Sequence, residues 1–260
     1  MNIIEKLHTI GFLNTVRNAF NFYSGKIFRK MFHRRLTPTL FDMSNIFESL
    51  FFFDEEKFIA ELCELNQTSL LKIKDEFMEI YDYLSRKRFE VKLTYPDDFD
   101  TELGTLFTLY SFIRVFQPEQ VVETGVANGQ SSFAILKAME LNNKGKLISI
   151  DISTKVGNLI DNELKSRWEL KVLRHGTRKE FQSYIDDLEK IDLFYHDSNH
   201  SYKWQSLEYH SSFQKLNSRG ILFSDDVDLS YAFIDFVKQH SEKRSYLLLN
   251  KKTMMGLIVK

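Results

Sequence analysis

Proline and cysteine are scarce in this chain. Its 260 residues include three prolines (Pro38, Pro96, Pro118), ten glycines and a single cysteine, Cys63. A lone cysteine excludes an internal disulfide framework and a cysteine-rich zinc centre, and it suits a reducing compartment. Cys63 sits in the helical-looking "FIAELCEL" and reads as a small buried apolar residue. Neither sign of charge prevails. With 35 Lys and Arg against 36 Asp and Glu, no overall field points to nucleic acid or to an acidic substrate. No apolar run nears the ~18 residues needed to span a bilayer. The amino terminus lacks a short apolar core followed by a small-residue cleavage site, so no secretory signal is expected. The expectation is a cytoplasmic protein, in solution or peripheral to a membrane.

What is present falls into two regions. Residues 1–100 are rich in Phe, Leu, Lys and Glu, and "EEKFIAELCELNQTSLLKIKDEFMEIYDYLSRKRF" (55–89) places apolar residues at helical spacing. A helical amino-terminal region is predicted there, with "TYPDDFD" around Pro96 as a linker. "SGKIFRKMFHRRL" (24–36) is basic and amphipathic, suited to an anionic membrane surface or to carrier phosphates, or simply to a helix packed on the core or on another subunit. The aromatic "SLFFFDEE" (49–56) reads as core or dimer interface, and a homo-oligomer is expected.

From residue 101 to 260 the pattern changes. A helix, "TELGTLFTLYSFIRVF", runs to Pro118. Short apolar runs then alternate with amphipathic stretches: "QVVETGV", "SSFAILKAMEL", "KLISIDI", "NLIDNELKSRW", "LKVLRHG", "RKEFQSYIDDLEK", "IDLFYHD", "SYKWQSLEYHSSFQKL", "GILFSDDV" and "YAFIDFVKQH". Apolar runs of that length suit strands covered by helices on both faces. "SYLLLN" and "MMGLIV" have the spacing of a terminal antiparallel pair. An α/β fold with a mostly parallel, Rossmann-like sheet and an antiparallel carboxy-terminal hairpin follows.

In such sheets ligands bind at the carboxyl ends of the strands. The first strand delivers Glu123, Gly125, Gly129, Ser131 and Ser132, a glycine turn before a helix. The second ends in Asp151, 28 residues after Glu123, a carboxylate able to accept both hydroxyls of a ribose. The third ends at Gly176-Thr177, the fourth at Asp197 and the fifth at Asp225-Asp226. Three carboxylates on one strand edge repel unless protonated or paired with a cation, and hard oxygen ligands favour Mg²⁺, with Ca²⁺ or Mn²⁺ as substitutes. Plainer readings stand beside these. Asp197 would cap the helix starting at Ser201, Asp225-Asp226 would be a solvated turn, His200 a surface residue, and Trp204 a core residue. His196, alternating with Asp197, points to the other face and reads as structural.

The order of these motifs resembles the class I S-adenosylmethionine-dependent methyltransferases. "ETGVANG" matches the Glu-x-Gly-x-x-x-Gly form of their first motif. "YHDSNHSY" followed by "GILFSDDV" is similar to the metal-dependent O-methyltransferases, more to the sugar (macrocin) type than to the catechol type. The resemblance covers roughly the last 160 residues and implies an enzyme. Glu123, Gly125, Gly129, Ser131 and Ser132 would hold the methionine end of S-adenosylmethionine, Asp151 its ribose, and Gly176 and Thr177 its adenine. Asp197, Asp225 and Asp226 would bind Mg²⁺ or another divalent cation. His200 falls where the family often places a lysine as catalytic base, with Asp197 beside it. The implied substrate is a sugar hydroxyl, on a nucleotide, lipid or polysaccharide carrier. A phenolic acceptor and a non-catalytic, cofactor-binding partner protein are the rivals. Nucleic acid is not expected, because the Pro-Pro-aromatic motif of base-amine methyltransferases is missing after the fourth strand.

Overall fold

A computed structural model describes residues 50–52, 59–60, 68–249 and 254–260. Cys63, the basic segment 24–36 and most of 49–56 lie outside the described residues. An eight-stranded sheet forms the centre: β1 (Leu50–Phe52), β2 (Gln120–Thr124), β3 (Lys146–Asp151), β4 (Trp168–Val172), β5 (Ile191–His196), β6 (Leu216–Ser224), β7 (Ser245–Leu249) and β8 (Met254–Val259). Their order is β1-β7-β8-β6-β5-β2-β3-β4. β8 runs antiparallel to β6 and β7, while the remaining pairs are parallel. The terminal antiparallel pair therefore forms as expected.

Alternate side chains of β2, β3, β5 and β6 enter two apolar layers. Val121, Leu147, Leu193 and Phe223 face one core, and Val122, Ile148, Phe194 and Leu222 the other. Burial on both faces is what makes these strands read as short unbroken apolar runs. The first core is covered by α1 (Leu70–Glu90), α2 (Leu103–Phe116) and α3 (Gln130–Leu141), the second by α4 (Arg178–Asp187), α5 (Tyr202–Lys215) and α6 (Ala232–Gln239).

α1 has no glycine or proline, is capped by Ser69 Oγ accepting from Lys72 N, and ends in Lys87 and Arg88, which complement the helix dipole. Its Ile73, Phe77 and Leu84 are buried. α2 buries every residue from 105 to 113 and stops where Gln117 turns left-handed (φ 49°) ahead of Pro118. No helix among the described residues is long and apolar enough to cross a membrane.

Three local expectations need correction. Residues 158–168, placed in a helical stretch, form only a 3₁₀ turn at Glu163–Arg167. The backbone at the start of this stretch is engaged elsewhere: Leu159 N donates to Asn128 O (2.9 Å) and Lys87 Nζ to Leu159 O (2.9 Å), while the preceding Gly157 N donates to Ala127 O (3.0 Å). The third strand of the predicted series, placed at 170–176, lies at Trp168–Val172. Leu50–Phe52, in a region with no strand signal, pairs with β7 as an edge strand.

Candidate active site

The chain runs from β2 out to β3 and β4, then crosses back to β5 and β6 on the other side of β2. That reversal makes a crevice at the carboxyl ends of β2, β3 and β5, where open α/β sheets bind ligands. Gly125, Gly129, Asp151 and Asp197 all lie there. Gly125 has φ +84°, and a Cβ on it would stand 2.0 Å from Asp197 O. The glycine loop thus lies directly against the end of β5, and only glycine fits. At Gly129 (φ +87°) a Cβ would stand 2.8 Å from Gly157 Cα.

Glu123, at the base of this loop, is fully buried. Its carboxylate accepts from Ser131 Oγ (3.2 Å), Ser149 Oγ (2.6 Å) and Ser132 Oγ. The Ser131 and Ser132 hydroxyls therefore point inward and brace the start of α3. Burial pushes Glu123 up to about 7, despite those three donors. The native state then holds a proton that the unfolded chain releases near 4.5, so stability falls as pH rises from about 4.5 to about 7. Glu123→Gln is expected to match the parent near pH 4 and to exceed it by on the order of 3 kcal/mol above pH 7. Urea denaturation at both pH values checks this. A Gln variant less stable at pH 8 would contradict it.

At the β3 end, Asp151 Oδ2 accepts from Val126 N and Oδ1 from Ser153 N, both 2.9 Å. Burial raises its pKa, and these backbone donors oppose the rise. Ile152 is 41% exposed, and a Cβ on Gly176 would meet its Cγ2 at 3.2 Å. The end of β4 therefore comes alongside Asp151. Thr177 caps α4, with Oγ1 accepting from Glu180 N at 3.2 Å.

On the other side of β2, Asp197 Oδ2 accepts from Tyr195 Oη (3.0 Å) and Thr101 Oγ1 (3.4 Å). α5 is N-capped by Ser201, whose amide donates to Asn199 Oδ1. Asp197 is therefore not its cap. Burial pushes Asp197 up to about 6. Burial and the Asp197 and Asp226 charges hold Asp225 well above the usual carboxylate range. Asp225 Oδ1 is buried without a hydrogen-bond partner. His200 Nε2 stands 3.7 Å from Asp197 Oδ1 and 3.8 Å from Asp226 Oδ2, between the ends of β5 and β6. Among the described residues, no group of three or more His, Cys, Asp or Glu side chains is gathered as a metal-holding set.

Two participants escaped the sequence reading. Glu208 of α5, 1% exposed, accepts from Thr124 Oγ1 (2.6 Å), Ser198 Oγ (2.8 Å) and Trp204 Nε1 (2.5 Å), and pairs with His196 Nδ1 (2.5 Å). It ties the ends of β2 and β5 and the turn carrying Asp197–His200 to one buried carboxylate. Asn128 is fully buried as well. Its Oδ1 accepts from Thr94 N (3.1 Å) and Tyr95 N (3.0 Å), and its Nδ2 donates to Tyr95 O (2.9 Å).

The crevice and its acids fall within a stretch similar to a known family. Residues 122–227 match the family model of a methyltransferase domain. No curated protein sequence matches the chain. The methyltransferase fold extends beyond the matched residues, as solved structures show. An O-methyltransferase from Bacillus cereus, solved with SAH, superposes with a TM-score of 0.50 at 12% identity, covering 78% of this chain and 100% of that one. An SAH-bound methyltransferase from Podospora anserina gives 0.51 at 16% identity, covering 71% and 87%. A methyltransferase from Geobacter sulfurreducens gives 0.52 at 16%, covering 70% and 88%. At such identities the likeness is one of fold, and the Rossmann-like methyltransferase architecture expected from the sequence is the one observed.

Proposed function

We propose that this methyltransferase domain transfers a methyl group from S-adenosylmethionine to a hydroxyl, on a sugar, with a divalent cation at the acid cluster. The observation that carries the reading is the contact between the glycine loop and Asp197. Gly125 leaves no room for a methyl group against the Asp197 carbonyl, so a cofactor on that loop sits beside the acids and His200. In the transfer, the acceptor oxygen attacks the methyl carbon as the carbon–sulfur bond breaks. The bond's electron pair passes to sulfur, neutralising the sulfonium, and the hydroxyl proton passes to His200 Nε2. The flanking Asp197 and Asp226 carboxylates favour the imidazolium that forms. Glu208 holds the turn that presents His200. In-line placement of oxygen, methyl and sulfur does the rest.

The residues that would hold Mg²⁺ are Asp197, Asp225 and Asp226. Carboxylate oxygens are the donors such an ion selects, and the buried, unpartnered Asp225 Oδ1 supports the assignment, although the three side chains are not gathered as a ready-made set. When bound, the ion would lower the pKa of the hydroxyl. The sugar acceptor rests on the resemblance of the Asp197-x-x-His200 and Asp225-Asp226 pattern to sugar O-methyltransferases.

Calorimetric titration with S-adenosylhomocysteine, with and without MgCl₂, followed by labelled methyl transfer to nucleotide-linked sugars and to catechols, tests the reading. Cofactor binding with Mg²⁺-dependent transfer to a sugar is expected. Transfer to catechol alone would replace the acceptor, transfer indifferent to chelator would remove the cation, and absence of cofactor binding would overturn the whole.

A further inference from the structure

Residues 94–101 join α1 to α2 and cross the mouth of the crevice. Tyr95 lies toward the β3 end, where burial and, after it, the Asp151 carboxylate raise the pKa of its phenol. Asn128, on the glycine loop after β2, holds both backbone groups of Tyr95 and reaches Asp100 Oδ1 at 3.4 Å. Thr101 bonds Asp197 at the end of β5. β3, β2 and β5 are adjacent strands, so this short segment is moored over three successive strand ends, a distance of roughly 10 Å. Arg88 of α1 fixes the middle through Asp97 (2.6 Å) and Asp100 (2.5 Å). Phe99 stacks obliquely on Tyr95, ring centres 5.8 Å apart.

We propose that the 94–101 segment is the outer wall of the nucleoside-binding site. In it, Tyr95 is a ligand contact on the ribose side of Asp151, and Asn128 is the latch that holds it there. This rests on the adenosyl cofactor of the proposed function and adds residues to its site. The physical argument is one of accounting. Val126 of the glycine loop donates to Asp151 and Asn128 of the same loop holds the Tyr95 backbone, so an adenosyl group placed on Asp151 and that loop would have this segment, and Tyr95 in it, beside it. Asn128 uses its side-chain amide wholly within this connection, and a buried amide left without partners is unfavourable. Latch and wall therefore stand or fall together.

The test is calorimetric titration of S-adenosylhomocysteine into the full chain and into Tyr95→Phe, Asn128→Ala and, as a remote control, Lys144→Ala. Loss of one hydrogen bond at Tyr95 should weaken binding about 3- to 10-fold, loss of the latch more than tenfold, and the control not at all. Hydrogen exchange on the unaltered protein gives a second reading, in which the ligand should slow the Thr94 and Tyr95 amides at least about tenfold. If Asn128→Ala fails to fold, Tyr95→Phe and the exchange result decide. Full-chain binding with unchanged Tyr95→Phe affinity and unchanged exchange overturns this inference alone. Absence of binding by the full chain overturns the cofactor reading and this inference with it.

Discussion

Replacing Asp225 by Asn is expected to make the ligand-free protein more stable at pH 8, because it removes a buried charge that two neighbouring carboxylates repel. Asp225 is 7% exposed, its Oδ1 has no hydrogen-bond partner, and the Asp197 and Asp226 charges lie close to it. Its pKa is raised in the native state, so the native protein binds the proton more tightly than the unfolded chain. Stability is therefore lost as pH rises above 3.8, the ordinary value, toward the native one. The advantage of Asn should be small near pH 4 and grow with pH. Mg²⁺ should reverse the order, stabilising the parent by mass action and leaving the variant unmoved. Guanidinium denaturation at pH 4 and pH 8, with and without MgCl₂, reads all of this. A variant that is less stable at pH 8 without metal would mean that a positive group already compensates Asp225.

His200→Gln should lower methyl transfer by about 10²- to 10⁴-fold, the range for a general base. S-adenosylhomocysteine affinity should stay within about twofold, since Gln keeps a polar group of similar reach without a basic nitrogen. At limiting Mg²⁺ the rate of the parent enzyme should also fall as pH drops through about 6, where metal-free Asp197 takes up a proton, because the proton and the cation would compete for one carboxylate. Steady-state rates across pH 5–9, on the first sugar or catechol accepted, measure both effects. Equal loss of cofactor affinity and rate in His200→Gln would mark His200 as structural.

The two variants bear on different parts of one cluster. Asp225→Asn separates a stability cost from the proposed cation binding, as expected where an active site keeps like charges together. His200→Gln separates proton transfer from cofactor binding. Glu208, out of reach of a ligand, holds the turn that bears both Asp197 and His200.

The sequence by itself determined the sheet and the positions of its acids. Strands buried on both faces must be short apolar runs, and a parallel sheet places every functional strand end on one edge. That is why "QVVET", "KLISID", "IDLFYH" and "GILFS" were legible, with Glu123, Asp151, Asp197 and Asp225 at or just past their ends. Gly125 and Gly129 were legible for a related reason, since a tight turn into a helix calls for positive φ.

The tertiary structure alone decided what those acids touch. Glu208 reaches Thr124 across 84 residues and Thr101 reaches Asp197 across 96. No local periodicity encodes partners so far apart. Residues 158–168 carry helical spacing, yet Leu159 gives its amide to Asn128 O and its carbonyl to Lys87 Nζ, partners that lie far off in the sequence. β1 gave no strand signal because three residues are too few to show an alternation, and its partner β7 lies at the other end of the sequence. Spacing foretold that His200 would fall near Asp197. Only the packing of β5 against β6 set it between Asp197 and Asp226.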